Sequence, residues 1–236
     1  MTTETKVIGG ISILTILIIV GGIFMFNGKV NNNWADGDYS QYIETGLTLD
    51  ATRIVRDYNP KITGPASASS TATSSKIAIT EFLDYECPAC ATNGEVLTKQ
   101  LLAQYGDRIT ITRKIFPVHG QGSIDSARLV LASQALGSDA YQKLHTKMFE
   151  TQNEWAILGK PDRDAFFKKM IIDLGLDFDK LYAESQSKKY DEQIAQDKQD
   201  ATALGIKATP SFIIGTSTRI TGGLPMDAIA KYIDSN

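Results

Sequence analysis

Apolar and polar positions change regime twice along this chain. Val7 to Phe26, VIGGISILTILIIVGGIFMF, carries no charged residue over its twenty positions. At 1.5 Å per residue a helix of that length spans about 30 Å, the thickness of a bilayer's hydrocarbon core. The run exceeds the roughly 7–15 apolar residues of a signal peptide, and no small-residue cleavage pair follows in Asn27-Gly28-Lys29-Val30-Asn31. Residues 1–26 therefore read as a short tail and an uncleaved N-terminal transmembrane helix. Lys6 and Lys29 flank the run and barely decide its orientation. Six residues before it and 210 after it fit a signal anchor with the large part outside. Residues 27–75 form a polar lead-in ending in the low-complexity tract 66–75, ASASSTATSS, which cannot bury a core and reads as a flexible linker. Within the lead-in, Arg53-Ile54-Val55-Arg56 suggests a short strand.

Regular alternation begins at Lys76. KIAITEFLDY predicts a buried strand, and Pro88 to Tyr105 predicts a helix stopped by Gly106, with Gly94 marking a kink. RITITRKIF, 108–116, alternates as a second strand. From Ser123 to Gly205 the period is helical, broken at Gly137, around Gly159-Lys160-Pro161, at Gly175 and near Lys188. Two short strands, Pro210 to Gly215 and Arg219 to Gly222, follow by β-branched content and turn residues. Pro225 to Ile233 closes the chain as a helix, with proline in its first turn.

Composition narrows the function. The 236 residues include 24 Lys+Arg and 27 Asp+Glu, a formal charge of −3, with 42% hydrophobic and 22% charged residues. That is globular composition, which excludes wholesale disorder. A mildly acidic balance without a basic block argues against nucleic acid as the partner. Phosphate-cradling glycine loops are absent, so nucleotide chemistry has no support. Two cysteines cannot make a disulfide scaffold, but they can make one redox pair.

That pair is Cys87-Pro88-Ala89-Cys90, directly after the first buried strand. Cys87 falls at the helix N-cap, where unpaired N–H groups and the positive helix end favour thiolate. Pro88 suits the first helical position, where its missing N–H is not needed. Cys90 lies one turn inward, within disulfide reach. The spacing makes Cys87 the exposed attacking thiol and Cys90 the shielded resolver that closes the bond. A zinc site would need two more ligands, and His119 and His145 are 26 positions apart. A disulfide closing so short a loop removes little chain entropy, so stability is a poor reason for it. Buried inert thiols conflict with the polar Asp84-Tyr85-Glu86 that precedes them.

A β-α-β unit and a β-β-α unit sharing one sheet make a thioredoxin fold, interrupted here by helices. The order EFLDYECPAC, Lys114-Ile115-Phe116-Pro117, a helical insertion and Ala208-Thr209-Pro210-Ser211-Phe212 resembles the DsbA-like thiol:disulfide oxidoreductases, most closely their membrane-anchored extracytoplasmic members. The resemblance covers about residues 76–233. It implies an α/β fold in which 76–236 is one DsbA-like domain, with thioredoxin parts at about 76–118 and 206–236 and the helical insertion at about 119–205. It further implies that Thr209-Pro210 is a cis-proline turn facing the disulfide. With Pro88 and Ala89, that turn would bind an extended substrate strand. Glu81 matches a buried acidic position that takes the Cys90 proton, although an ordinary polar strand glutamate fits the alternation equally well.

The remaining residues read more plainly. Lys114 is an exposed strand lysine or a partner of Glu81. His119 borders the site or is an ordinary loop histidine, and His145 is structural. Lys188 to Asp200 is a solvated helix face. Phe82 and Phe212 pack in the core, while Tyr85 and Phe116 suit an apolar rim. Where DsbA itself carries a histidine between its cysteines this chain has Ala89, which puts a very strongly oxidising potential in doubt. The expected activity is a plasma-membrane, single-pass oxidase whose catalytic domain is extracytoplasmic and introduces disulfides into exported proteins. No organic cofactor or metal is expected beyond the redox-active Cys87–Cys90 disulfide, and a quinone-linked membrane partner would reoxidise it. A reductase or isomerase, a redox-inactive peptide-binding module and a zinc-binding domain are the alternatives.

Overall fold

The computed structural model describes residues 38–62 and 76–235. Backbone contacts divide the chain into Met1–Tyr39 and Ser40–Asn236, and the fold is that of the second unit. The expected anchor at Val7–Phe26 and the linker tract at 66–75 lie outside the described residues. Among the described residues no helix is long and apolar enough to cross a membrane.

The strands are β1 (Ile43–Glu44), β2 (Lys61–Ile62), β3 (Ile77–Leu83), β4 (Ile109–Ile115), β5 (Ser211–Ile214) and β6 (Thr218–Thr221), in one sheet ordered β1-β6-β5-β3-β4-β2. β3 and β4 pair in parallel, and the other neighbours are antiparallel. Buried from Ile79 to Leu83, β3 is covered on both faces, which suits its near-continuous apolar sequence.

Helices α1 (Ala51–Ile54) and α2 (Glu95–Tyr105) precede the helical insertion. The insertion comprises α3 (Gln121–Ala132), α4 (Ser138–Glu150), α5 (Gln152–Trp155), α6 (Lys160–Asp173), α7 (Phe178–Ser185) and α8 (Lys188–Ala203). α9 (Met226–Asp234) closes the chain. The insertion has its own core around Trp155, whose ring meets Phe167 edge-on at 5.2 Å and whose Nε1–H donates to the Met148 carbonyl at 2.8 Å. Tyr85 and both cysteines join that core. On the other face of the sheet, Ile54, Phe82, Phe116, Leu204 and Ile213 pack together.

Three expectations are corrected. Arg53 and Ile54 are not a strand. They lie in the short helix α1, because the Asp50 side chain caps it by accepting the Thr52 N–H at 2.9 Å. The lead-in also supplies both edges of the sheet, with Ile43 opposite Ile220 and Lys61 opposite Thr112. Pairing there satisfies edge N–H and C=O groups that would otherwise be open.

The third correction concerns Lys188 to Asp200, which is not wholly solvated. Asp197 and Asp200 are fully buried. Lys114, also fully buried, donates to Asp197 Oδ1 and Asp200 Oδ2, both at 2.9 Å. Glu81 is the register partner of Arg113. Lys114 therefore points to the opposite face of the sheet, since successive strand side chains alternate. It is neither exposed nor paired with Glu81.

Candidate functional site

The chain turns sharply after β3 and enters a helix at Pro88 whose first part, Cys90–Gly94, is a π turn continuing into α2. Such turns recur at functional sites. The Cys87 N–H donates to the Asp84 carbonyl at 3.1 Å. The Cys87 carbonyl accepts from the Cys90 N–H at 3.1 Å and from the Gln152 side chain at 2.9 Å. Gln152 also donates to the Tyr85 carbonyl at 2.8 Å, so the insertion holds the cysteine loop by its backbone.

The Thr209–Pro210 peptide bond is cis, as the resemblance implies. The Cys87 thiol donates to the Thr209 carbonyl at 3.3 Å. Pro88 is exposed and Ala89 half-buried. Cys87 is not the exposed thiol that the spacing suggests, because Thr209 closes over it and leaves the residue 5% accessible, against 1% for Cys90. Both cysteines are free thiols here.

Their acidities diverge. The Cys90 thiol, hydrogen-bonding to the Cys87 sulfur, lowers the Cys87 pKa to about 5. Burial opposes that shift, while the Thr209 side chain and the Cys90 and Ala89 N–H groups add to it. Burial pushes Cys90 well above its usual value, and the neighbouring Cys87 sulfur pushes it further.

Glu81 lies beneath this turn. It is 1% accessible, and its Oε2 accepts from Arg113 Nε at 3.2 Å and Thr98 Oγ1 at 3.3 Å. Burial raises its pKa to about 7 against the pull of Arg113. Gly94 allows the close packing here, since a Cβ on it would lie 3.2 Å from Pro210 Cβ and 3.5 Å from Glu81 Oε1.

Arg113 extends the buried network, donating through Nη2 to Glu95 Oε1 at 3.3 Å. His145 Nε2 lies 2.6 Å from the same oxygen, and Tyr85 Oη lies 2.8 Å from His145 Nδ1. Burial lowers the His145 pKa to about 4, so it is neutral, which places the proton on Nε2 and lets Tyr85 donate to Nδ1.

Sequence reasoning missed Asp84, Glu95 and Gln152. The polar run Asp84-Tyr85-Glu86 suggested exposure, yet Asp84 and Tyr85 are fully buried. Asp84 Oδ2 accepts the Val118 and His119 N–H groups at 2.8 and 3.1 Å. Glu86 Oε2 accepts the Ser123 N–H at 2.8 Å. Each polar side chain finds its partner in a segment distant in sequence, which periodicity cannot register. Phe116 is 7% accessible, so it and Tyr85 belong to the core rather than to a rim.

The buried acids predict a pH profile of stability. Although burial alone would raise them, Glu95 is held to about 2 by His145, Arg113 and Lys99, and Asp200 to about 2 by Arg56 and Lys114. Glu95 contributes about 3 kcal/mol and Asp200 about 2 kcal/mol above their unfolded pKa values, lost as pH falls through the folded ones. Glu81 gains stability as pH falls from about 7 to 4.5, while His145 loses it from 6.5 to about 4, and the two nearly cancel. With Cys87 held in its disulfide, where its thiol does not titrate, urea midpoints should stay level down to about pH 4.5 and then fall steeply toward pH 2. In the reduced chain the lowered Cys87 pKa adds a decline from pH 7 to about 5. A steady decline from pH 7 in the disulfide form would contradict this balance.

A family model described as thioredoxin matches residues 63–235. The fold is similar to that of the thiol-disulfide exchange protein alpha-DsbA2 from Wolbachia pipientis, at 21% identity and a TM-score of 0.63, covering 88% of this chain and 98% of that one. BdbD from Bacillus subtilis in its oxidised form is similar at 17% identity and a TM-score of 0.64, covering 81% and 97%. A periplasmic thioredoxin-like protein from Salmonella enterica serovar Typhimurium is similar at 22% identity and a TM-score of 0.62, covering 78% and 93%. No curated protein matches the chain.

Proposed function

This chain belongs to the thioredoxin family, and we propose that it is a thiol:disulfide oxidase that introduces disulfides into exported proteins through Cys87 and Cys90. The observation that carries the reading is the split in acidity across one helical turn, Cys87 at about 5 and Cys90 far above its usual value, beside a cis-proline loop. A stabilised Cys87 thiolate favours the reduced enzyme, which makes the oxidised enzyme a donor of disulfides. That same observation ranks oxidation above the reductase or isomerase alternative.

In the oxidised enzyme a substrate thiolate attacks Cys87 Sγ. The Cys87–Cys90 bond breaks, a Cys87–substrate disulfide forms and Cys90 leaves as a thiolate. That basic thiolate takes a proton, and Glu81, with a pKa near 7, is the group that supplies it and later withdraws it. A second substrate thiolate attacks the substrate sulfur of the mixed disulfide. Cys87 departs as a thiolate, a good leaving group because of its low pKa. The two electrons taken from the substrate remain on the cysteine pair until a quinone-linked membrane partner removes them. The Thr209–Pro210 turn, with Pro88 and Ala89 opposite, holds the substrate as an extended strand. The sulfurs carry the electrons, so no organic cofactor enters.

Val7–Phe26 would anchor the protein in the plasma membrane with this domain on the extracytoplasmic side. The expected relation of the two cysteines gives the test. Cys90→Ser should accumulate Cys87-linked mixed disulfides with exported proteins, released by reductant. Normal turnover by that variant would overturn the roles assigned to the pair.

A further inference from the structure

The geometry points to Glu95 as the residue that keeps a proton on Glu81, by drawing away part of the guanidinium the two acids share. This rests on Glu81 as the proton carrier of the proposed exchange and deepens that reading. Arg113 on β4 stands between the two acids. Its Nε donates to Glu81 Oε2 at 3.2 Å, its Nη2 to Glu95 Oε1 at 3.3 Å and its Nη1 to Gln142 Oε1 at 3.4 Å. An arginine that serves one carboxylate can grip it with two parallel N–H groups. Here the fork is divided, and Glu81 receives a single bond from it. The other donor to Glu81 is the uncharged Thr98 hydroxyl, at 3.3 Å.

Arg113, Glu81 and Glu95 are all buried. With both acids ionised, one buried cation would face two buried anions, and an uncompensated buried charge is costly. Glu95 holds the advantage. His145 Nε2 lies 2.6 Å from its Oε1 and Lys99 Nζ 3.7 Å from its Oε2. Among the described residues Glu81 pairs with Arg113 alone. The other ionisable groups around the cluster carry no charge. Burial raises Tyr85 and Tyr141 and lowers His145, so all three stay neutral, and the Cys87–Cys90 disulfide has nothing to ionise. Glu95 is therefore the ionised partner, held at about 2, and Glu81 is the acid that keeps its proton up to about 7. His145 comes from α4, so the helical insertion reaches the chemistry of the cysteine pair through Glu95. Glu95 acts as a positioning residue, one that orders the charges around Glu81.

The full chain in detergent, oxidised and carrying isotope-labelled glutamate carboxyl carbons, lets both acids be titrated by NMR, with Glu81→Gln and Glu95→Gln assigning their signals. In the parent, Glu95 should stay ionised while Glu81 takes up its proton near pH 7. In Glu95→Gln the released guanidinium turns to Glu81, whose midpoint should fall by about one unit, the low end for a neighbouring charge because Arg113 is already bonded to it. That shift leaves about a tenth of Glu81 protonated at pH 7 instead of about half. Reduction of the enzyme disulfide by glutathione should then slow about fivefold at pH 7 and hardly at all near pH 5. Loss of packing alone would slow it equally at both. An unchanged Glu81 midpoint in Glu95→Gln would overturn the inference. So would a parent chain in which Glu95 takes up its proton before Glu81, a result that needs no variant to fold. If the parent formed no intramolecular disulfide, the oxidase reading would fall, and titration of the two acids in the reduced chain would still decide the role of Glu95.

Discussion

Cys87→Ser should abolish thiol–disulfide exchange, the largest effect expected of any single substitution in this chain. The nucleophile in exchange is a thiolate. With a Cys87 pKa of about 5, roughly 99% of that thiol is ionised at pH 7. Cys90 cannot take over. It is 1% accessible, and burial holds its pKa well above the ordinary value, so its thiolate fraction at pH 7 stays below about 1%. A serine hydroxyl at 87 ionises far less than either thiol. Oxidation of a reduced, unfolded client should be lost, because Cys90 is then the chain's one cysteine and no intramolecular disulfide exists for the client thiolate to attack, while folding is preserved because the side chains are nearly isosteric. The assay is the rate of client disulfide formation with the full chain, beside its far-UV circular dichroism. Residual activity at a tenth of the parent rate would remove Cys87 from the centre of the chemistry.

Lys114→Met should be the most damaging substitution for stability. The ammonium sits between Asp197 and Asp200, all three fully buried, at 2.9 Å from each carboxylate. Arg56 remains on Asp200, and Asn59 and the Ile115 N–H remain on Asp197. Arg53 also reaches Asp200, at 3.5 Å, so it is Asp197 that is left buried without a cation of its own. Removing one partner of a buried ion pair costs about 3–5 kcal/mol, a large part of the roughly 5–15 kcal/mol that holds a domain folded. Lys169→Ala, which breaks an exposed pair with Asp173, should cost less than about 1 kcal/mol. Urea unfolding of both variants measures the contrast. Adding Asp197→Asn to Lys114→Met should recover much of the loss, because the unpaired charge goes with it. Equal midpoints for the Lys114 and Lys169 variants would show that the buried cluster does not support the fold.

This cluster shows where the sequence could be read and where it could not. The thioredoxin strands and helices were legible because each announces itself locally. β-branched alternation marks β3 and β4, and glycine breaks at 137, 159 and 175 fall where helices of the insertion end or begin. The cysteine turn was legible because CPAC after a strand is a local arrangement. Lys114 was not, because its burial depends on two aspartates more than 80 positions away. The edge strands at Ile43–Glu44 and Lys61–Ile62 were equally hidden, since a two-residue strand has no period and exists only where another strand offers an open edge. The same holds at the site. Cys87, Cys90 and the cis-proline were found from neighbours in sequence, whereas Asp84, Gln152 and the Arg113–Glu95–His145 network act through contacts that only the folded chain makes.

The central claim is that Cys87 and Cys90 form a disulfide the protein gives away. Equilibration with glutathione buffers, followed by the Cys87–Cys90 redox state, measures that tendency directly. A stabilised Cys87 thiolate predicts a reduction potential between about −120 and −180 mV, the range of disulfide donors and isomerases. A potential near −270 mV, that of a thioredoxin reductant, or a pair that never closes into an intramolecular disulfide, would contradict it.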